Sequence, residues 1–139
     1  MKHGAAAIPS KSLLAVLVVG FLLSSCFAES QDLCGSSKLK AGDRVTVAGV
    51  FATDGHQNSV FEADRCPQKR FGLLLDEGDE TVSGFDDAVL AEAIKSGGAD
   101  RHYRLTLDGR YLEGHGKPDG VIEVLHISRW EPARVEHPR

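Results

Sequence analysis

Hydrophobic and polar residues alternate along three segments in the first part of the chain, with the period of half-buried β-strands. The alternation predicts strands over 43–53, 59–65 and 70–76, separated by turn-forming residues. The third segment contains Phe71 and three consecutive leucines. We therefore expect it to be a central strand that is covered on both sides.

The period then changes to that of an amphipathic helix. Ser83, three residues before Asp86, is a candidate N-cap, and Gly97-Gly98 is a candidate end. Between these points the apolar residues fall on one stripe, which we expect to be buried: Phe85, Val89, Leu90, Ala93 and Ile94.

Two more alternating segments, at 101–112 and 120–129, complete the order β-β-β-α-β-β. The run Arg44–Phe51 is echoed by Arg104–Tyr111, and each run carries a mid-strand glycine that lets a strand bend as a small barrel requires. The predicted fold class is mainly β: a five-stranded Greek-key barrel that resembles the OB-fold, with one helix between strands 3 and 4. An SH3-type barrel is the alternative, which the helix disfavours.

The first strand opens with the sequence GDRVTVAG at 42–49. This opening is similar to the GD-x-V-x-V-x-G strand of small exported OB-fold proteins of bacteria, some periplasmic and some lipid-anchored. The resemblance covers about residues 42–129. It implies the fold and, by analogy, a role in binding a small ligand, a cation or a partner protein.

The N-terminus has the pattern of an export signal. Lys2 and Lys11 precede an apolar run, Leu13–Leu23. As a helix this run would be about 16 Å long, too short to cross a hydrocarbon core of roughly 30 Å. The run ends in Leu-Ser-Ser-Cys, which predicts acylation of Cys26 as the new N-terminus. Cleavage after Ala28, giving a soluble secreted protein, is the alternative.

These segments predict the domain organisation. We expect a signal peptide over 1–26, a polar tether over 27–41, a single OB-fold-like domain over 42–130 and a C-terminal tail over 131–139. The expected location is the periplasmic side of the envelope, on the outer membrane, because the residue after Cys26 is not aspartate.

Charge and cysteine content narrow the choice of partners. The chain has 16 Lys+Arg and 20 Asp+Glu residues, and the signal carries two of the lysines. The acidic domain that remains is a poor partner for nucleic acid. Loss of Cys26 from the thiol pool leaves Cys34 and Cys66, which we expect to form a disulfide in an oxidising compartment. A metal site is the weaker alternative, because the chain has no CxxC spacing.

No catalytic motif stands out, so the sequence predicts a protein that is not an enzyme and needs no cofactor. One binding hypothesis places His56 and His115 on loops that flank the same face of an OB barrel, where they could hold a metal or an anionic ligand. The alternative is that both histidines lie in ordinary polar turns.

A second binding hypothesis concerns the face formed by strands 2 and 3. Phe61 and Phe71 could stack on a ligand there, beside Arg65 and Arg70. The alternative is that both rings lie in the core, the more usual place for aromatic residues in a domain with so few of them. The expected function is a non-catalytic binding or accessory module of the cell envelope. The alternative is a structural domain that docks on an envelope protein through a strand edge or the arm around Trp130.

Overall fold

The computed structural model describes residues 29–35, 38–55, 59–114 and 119–134. It confirms a mainly β fold with one helix between the third and fourth strands. The elements, in chain order, are β1 (Arg44–Thr53), β2 (Ser59–Ala63), β3 (Gly72–Leu75), α1 (Glu80–Ser96), β4 (Arg101–Leu112) and β5 (Val121–Pro132).

The five strands form one curled sheet, a half-barrel, in the order β2-β1-β4-β5-β3. Strand β3 runs parallel to β5, and the other pairs are antiparallel. The two edges of the sheet meet at a bridge between Phe61 and Phe71. The Phe61 N–H donates to the Phe71 carbonyl at 2.8 Å, and the Phe71 N–H donates to the Phe61 carbonyl at 3.0 Å. Strand β3 comes last in the strand order and is an edge strand of the sheet. The prediction that it is central and covered on both sides is wrong, as the 52% exposure of Leu74 also shows.

The core fills the concave face of the sheet and the facing side of α1. Inward residues alternate along β4, where Tyr103, Leu105 and Leu107 are at most 3% exposed. This is the period-2 burial expected of a sheet with one covered face. The other fully buried large side chains include Val45, Phe61, Phe71, Val82, Phe85, Ile122 and Val124.

The two mid-strand glycines lie where another strand approaches closely. A Cβ on Gly49 would lie 2.3 Å from the Glu62 carbonyl oxygen, and one on Gly109 would lie 2.6 Å from the Glu123 carbonyl oxygen. The β4–β5 register shifts between Asp108 and Gly109. Glycine at these positions lets the sheet curl tightly enough for its edges to meet.

Helix α1 begins earlier than the sequence predicts. Its N-cap is Asp79, whose side chain accepts hydrogen bonds from the N–H groups of Thr81 and Val82. Ser83 lies inside the first turn, and its hydroxyl donates to the Asp79 carbonyl at 3.1 Å. The end is as predicted, at Gly97, which has a left-handed φ of 65°.

The buried stripe of α1 is narrower than the predicted one. Val82, Phe85, Val89 and Ala93 are buried, whereas Leu90 is 54% exposed and Ile94 75% exposed. The face of the helix that carries Phe85 packs against the sheet. Leu90 and Ile94 are thereby left on the solvent side.

The segment before β1 is packed against the sheet and is not a free tether. The Gln31 N–H donates to the Arg44 carbonyl at 2.6 Å, and Leu33 is only 3% exposed within the core. The Cys34–Cys66 disulfide is confirmed, with the two Cα atoms 5.6 Å apart. The domain therefore includes Gln31 and Leu33, which precede the predicted start at residue 42. Cys26 and the predicted signal peptide lie outside the described residues.

At the other end, β5 extends beyond residue 129. Trp130 pairs with Leu105 and Pro132 with Tyr103, and the Ala133 N–H donates to the His102 carbonyl at 2.8 Å. Trp130 is therefore part of the sheet and not part of a loose arm.

Candidate functional site

The first predicted site falls outside the residues that the structure describes. His56 lies in the gap at 56–58 and His115 in the gap at 115–118. Their convergence on one ligand remains a prediction. Within the described ranges no three His, Cys, Asp or Glu side chains are grouped so as to hold a metal ion.

The second predicted site, on the face of strands 2 and 3, has no exposed ring from Phe61 or Phe71. Phe61 is 0% exposed and Phe71 2% exposed, and both belong to the core cluster. Their backbones join the two edges of the sheet, which directs the rings inward. The hypothesis that they stack on a ligand is therefore wrong, and the alternative that they are core residues is confirmed.

The two arginines of that site do lie at the surface. Arg65 pairs with Asp32 at 2.8 Å, and Arg70 lies 3.8 Å from Glu62. Because each cation faces a carboxylate, neither offers an uncompensated charge to an anion. The face of β2 and β3 therefore offers a ligand neither a ring of Phe61 or Phe71 nor an unpaired charge on Arg65 or Arg70.

A groove of about 810 Å³ lies elsewhere, between the second half of α1, the start of β4 and the end of β5. Its volume is within the range of small-molecule pockets. Ala88 and Ala91 form part of the helix wall, and Tyr103 and Trp130 contribute from the sheet. The small alanine side chains keep the space between helix and sheet open.

The sheet side of the groove is aromatic. The ring centroid of Trp130 lies 5.5 Å from that of Phe85 and 6.3 Å from that of Tyr103, both in edge-to-face geometry. Phe85 in turn contacts Tyr103 and Phe51, at 5.5 and 6.0 Å. Trp130 is nevertheless 39% exposed. It is the surface member of a cluster that continues into the core.

Tyr103 supplies a buried polar atom beside this surface. The residue is 3% exposed, and its hydroxyl has no hydrogen-bond partner among the described residues. Burial raises the pKa of the hydroxyl; the nearby Arg101 opposes this effect and Glu92 adds to it. At neutral pH the group is therefore a neutral phenol, able to donate one hydrogen bond and to accept others.

Three charged side chains at the groove are paired with one another: Glu92, Lys95 and Arg101. Glu92 accepts from Arg101 at 3.1 Å and lies 3.6 Å from Lys95. Arg101 also donates to the Ser96 hydroxyl at 3.1 Å. These contacts fix the end of α1 to the start of β4, and Asp100 adds a second carboxylate to the lining of the groove.

A smaller cavity of about 320 Å³ adjoins the groove, and the two share Asp100 and His102. Thr53 and Val60 line it from β1 and β2, together with Arg70. Arg70, predicted from the sequence as a ligand-binding residue, thus lies next to a cavity. The lining of that cavity includes neither Phe61 nor Phe71, the rings beside which Arg70 was predicted to bind a ligand.

A separate polar cluster, at the start of α1, consists of Asp79, Thr81 and His126. The Thr81 hydroxyl donates to Asp79 and accepts from the Ile127 N–H at 2.9 Å. His126 Nδ1 lies 3.2 Å from that hydroxyl and 3.3 Å from Asp79 Oδ2. Since both partners face the same ring nitrogen, the arrangement is not the relay that activates a nucleophile. It joins the start of α1 to β5.

The same contacts lower the pKa of Asp79 to about 2, chiefly through the hydrogen bond from the Thr81 hydroxyl. The Thr81 and Val82 N–H groups and His126 act in the same direction, against partial desolvation. The carboxylate is thus held ionised at the N-terminus of the helix, where a negative charge is favourable.

The sequence did not indicate the groove. Trp130 is the only tryptophan in the chain, and it lies at the predicted boundary between the domain and the C-terminal tail, where two prolines follow it. Ile127 and Trp130 are three positions apart, which is not the strand period of two. They pair with Leu107 and Leu105 because the β4–β5 register shifts between Thr106 and Leu107, and this shift has no signal in the sequence.

No described helix has the length and apolar character needed to cross a membrane. Comparison with protein families, with curated proteins and with solved structures finds no match for the chain.

Proposed function

We propose that this protein is an exported, non-catalytic binding module of the bacterial cell envelope, and that it binds its ligand in the groove between α1, β4 and β5. One observation carries the proposal: Trp130, which is 39% exposed, lines an open groove of about 810 Å³ together with Tyr103. An apolar concave surface with few polar groups is the usual form of a small-ligand site.

The strand connectivity supports a barrel of the OB-fold type. In such a barrel the first strand pairs with the second and fourth, and the helix lies between strands 3 and 4. The β1–β2 and β1–β4 pairs, the parallel β3–β5 pair and the Phe61–Phe71 bridge fit this arrangement. OB-folds serve many ligands, so the connectivity is compatible with a binding role without specifying one.

The N-terminal pattern and the disulfide support export. The Cys34–Cys66 bond is of a kind that persists in oxidising compartments. Acylation of Cys26 would place the protein on the periplasmic side of the envelope, at the outer membrane. Cleavage after Ala28 would release it as a soluble protein.

The positions of the N-terminal segment and the groove fit an anchored binder. The segment meets the sheet near the end of β4, where the Gly42 N–H donates to the Tyr111 carbonyl at 2.8 Å. The groove is at the start of β4, at Tyr103. Eight residues of strand separate the two positions by about 26 Å. An anchor on Cys26 would therefore leave the groove on the far side of the domain.

A ligand screen tests the proposal. We expect compounds from a chemically broad panel to raise the melting temperature of the mature protein. Ala91→Phe should abolish these shifts, because the added ring occupies the groove. Ile94→Phe, which adds the same ring on an exposed position of the same helix, should preserve them. Hits that survive Ala91→Phe, or a panel without hits, would contradict the proposal.

Mass spectrometry of the mature N-terminus tests the export part separately. The expected product begins at an acylated Cys26. A product that begins at Glu29 would indicate the soluble alternative, and an uncleaved chain would contradict export.

Docking on an envelope protein is a second candidate function, favoured by Leu90 and Ile94. These side chains lie one helical turn apart and are 54% and 75% exposed. The double variant Leu90→Ser/Ile94→Ser should abolish capture of such a partner without changing the melting temperature. Capture that is unaffected would contradict this candidate.

A further inference from the structure

We infer that the groove binds an elongated organic cation, with the apolar body of the ligand against Trp130 and its ammonium group beside the Asp100 carboxylate. The inference rests on the proposed function, because it takes the groove as the binding site. It adds the chemical class of the ligand.

The two ends of the groove differ in chemistry. The apolar end has Trp130, which is 39% exposed, together with Ala88 and Ala91 of α1. Trp130 pairs with Leu105 on β4, whereas Asp100 directly precedes the first residue of that strand. Five residues of extended chain separate Leu105 from Asp100, which is about 16 Å. A ligand that reaches from the apolar end to the carboxylate is therefore elongated.

The polar end of the groove has one carboxylate without a protein partner. Among the charged residues of the lining, Glu92 accepts from Arg101 at 3.1 Å, so these two charges offset each other. Asp100 also lines the groove and makes no ion pair or hydrogen bond with another described residue. Neither Lys95 nor Arg134 is in the lining. With histidine neutral, two carboxylates stand against one guanidinium, and a singly charged cation would balance the difference.

The helix beside the groove strengthens the negative potential. Its sequence has a net charge of −3, from Glu80, Asp86, Asp87 and Glu92 against Lys95. The C-terminal end of the helix, where the backbone carbonyls give a partial negative charge, is followed four residues later by the carboxylate of the polar end. Charge of one sign along a cleft attracts ligands of the opposite sign. The field therefore favours a cation at this end of the groove.

The walls favour an organic cation over a metal ion. Glu92, Asp100 and His102 all line the groove, but no three His, Cys, Asp or Glu side chains of the described ranges are grouped so as to hold a metal ion. A single carboxylate at the surface gives only a weak ion pair. Most of the affinity must then come from apolar contact, which the indole ring and the alanine methyl groups provide. An ammonium group on an apolar chain combines both contacts.

Three probes with one chain and different head groups test the inference: hexylammonium, 1-hexanol and hexanoate. Methylammonium supplies the head group without the chain. Binding to the mature protein is followed by the fluorescence of Trp130, the single tryptophan of the chain. We expect hexylammonium to bind about two- to fivefold more tightly than hexanol, in line with one exposed ion pair. Hexanoate should bind more weakly than hexanol, and methylammonium should show no saturable binding.

Asp100→Asn separates the charge from the apolar contact. It should remove the preference for hexylammonium and leave hexanol binding unchanged. Asp87→Asn is the matched control, because it removes an exposed carboxylate of α1 that does not line the groove. It should preserve the preference. Added salt should weaken hexylammonium binding and not hexanol binding, since an exposed ion pair is screened.

Four results would overturn the inference: hexanol or hexanoate that binds as tightly as hexylammonium, methylammonium that does so, a preference that survives Asp100→Asn, or no saturable hexylammonium binding. The broad panel with Ala91→Phe then decides the proposed function on its own. Panel hits that Ala91→Phe abolishes would keep the groove as the binding site while the ligand class fails.

Discussion

The rings of Tyr103 and Trp130 lie edge to face, with centroids 6.3 Å apart and planes at 70°. Tyr103 is buried on β4, and Trp130 is 39% exposed on β5. Both contact Phe85 of α1. The surface proposed for ligand binding is therefore one end of the hydrophobic core, which holds both rings in place before a ligand arrives.

Loss of the Tyr103 hydroxyl should not destabilise the free protein. Tyr103→Phe removes a buried polar atom that has no partner among the described residues. We expect the free energy of unfolding to rise by up to about 1 kcal/mol, because the desolvation cost of the hydroxyl is removed. Urea denaturation measures the change. A decrease of about 1 kcal/mol or more would show that the hydroxyl has a stabilising partner in the free protein.

The disulfide should contribute much of the stability of so small a domain. Cys34 and Cys66 are 32 residues apart, and closing such a loop constrains the unfolded chain by about 3–4 kcal/mol in the chain-entropy account. The double variant Cys34→Ser/Cys66→Ser should lose free energy of unfolding of that order. Under reducing conditions the wild type should approach the variant. Equal stability of the oxidised wild type and the variant would contradict this prediction.

Two glycine substitutions should have opposite effects. A Cβ on Gly49 would lie 2.3 Å from the Glu62 carbonyl oxygen and 2.7 Å from the Phe61 ring, so Gly49→Ala should severely destabilise the sheet. A Cβ on Gly84, an exposed helical position, meets nothing within 4 Å. Gly84→Ala should therefore stabilise by about 0.5–1 kcal/mol through helix propensity. Thermal unfolding of both variants checks the pair, and a well-tolerated Gly49→Ala would contradict the close approach.

Asp79 should make the domain sensitive to acid. Its pKa is lowered from 3.8 to about 2 in the folded protein, so the unfolded chain binds the proton more tightly. The stabilisation is complete above the unfolded value and is lost as the pH falls through the folded value. Asp79→Asn should therefore lower the melting temperature more at pH 6 than at pH 2.

Asp87→Asn, which removes an exposed carboxylate from the same helix, serves as the control for the acid effect. Its effect should be smaller than that of Asp79→Asn at pH 6. If Asp79→Asn lowers the melting temperature by the same amount at pH 6 and at pH 2, the proposed role of the Asp79 carboxylate is contradicted.

The strands were predictable from the sequence because alternation is a local property. The helix shows where local reasoning stops. Asp79 and Ser83 are both good N-cap residues, and the contact of Thr81 with Ile127 on β5 determines where the helix begins. Leu90 and Ile94 are apolar and correctly spaced for the buried stripe. They are nevertheless exposed, because the insertion of Phe85 into the core determines which face of the helix is covered.

The groove was not predictable for a related reason. It is formed by α1, β4 and β5 together, and its Trp130 precedes a proline that is typical of a strand end. Pairing of Trp130 with Leu105 and of Pro132 with Tyr103 continues the strand up to the proline itself. The arginines at 65 and 70 were correctly expected at the surface. Their pairing with Asp32 and Glu62 depended on the tertiary fold.

Mapping the backbone amide signals of the isotopically labelled mature protein by NMR, with the strongest hit of the ligand panel added, tests the central claim most directly. The account predicts the largest shifts at Arg101–Tyr103, at Ala91 and at Trp130, including its indole N–H, and small shifts at Arg65 and Arg70. Shifts centred on Arg65 and Arg70, or no shift at Trp130 when the panel hit is at saturating concentration, would contradict the claim that the groove is the binding site.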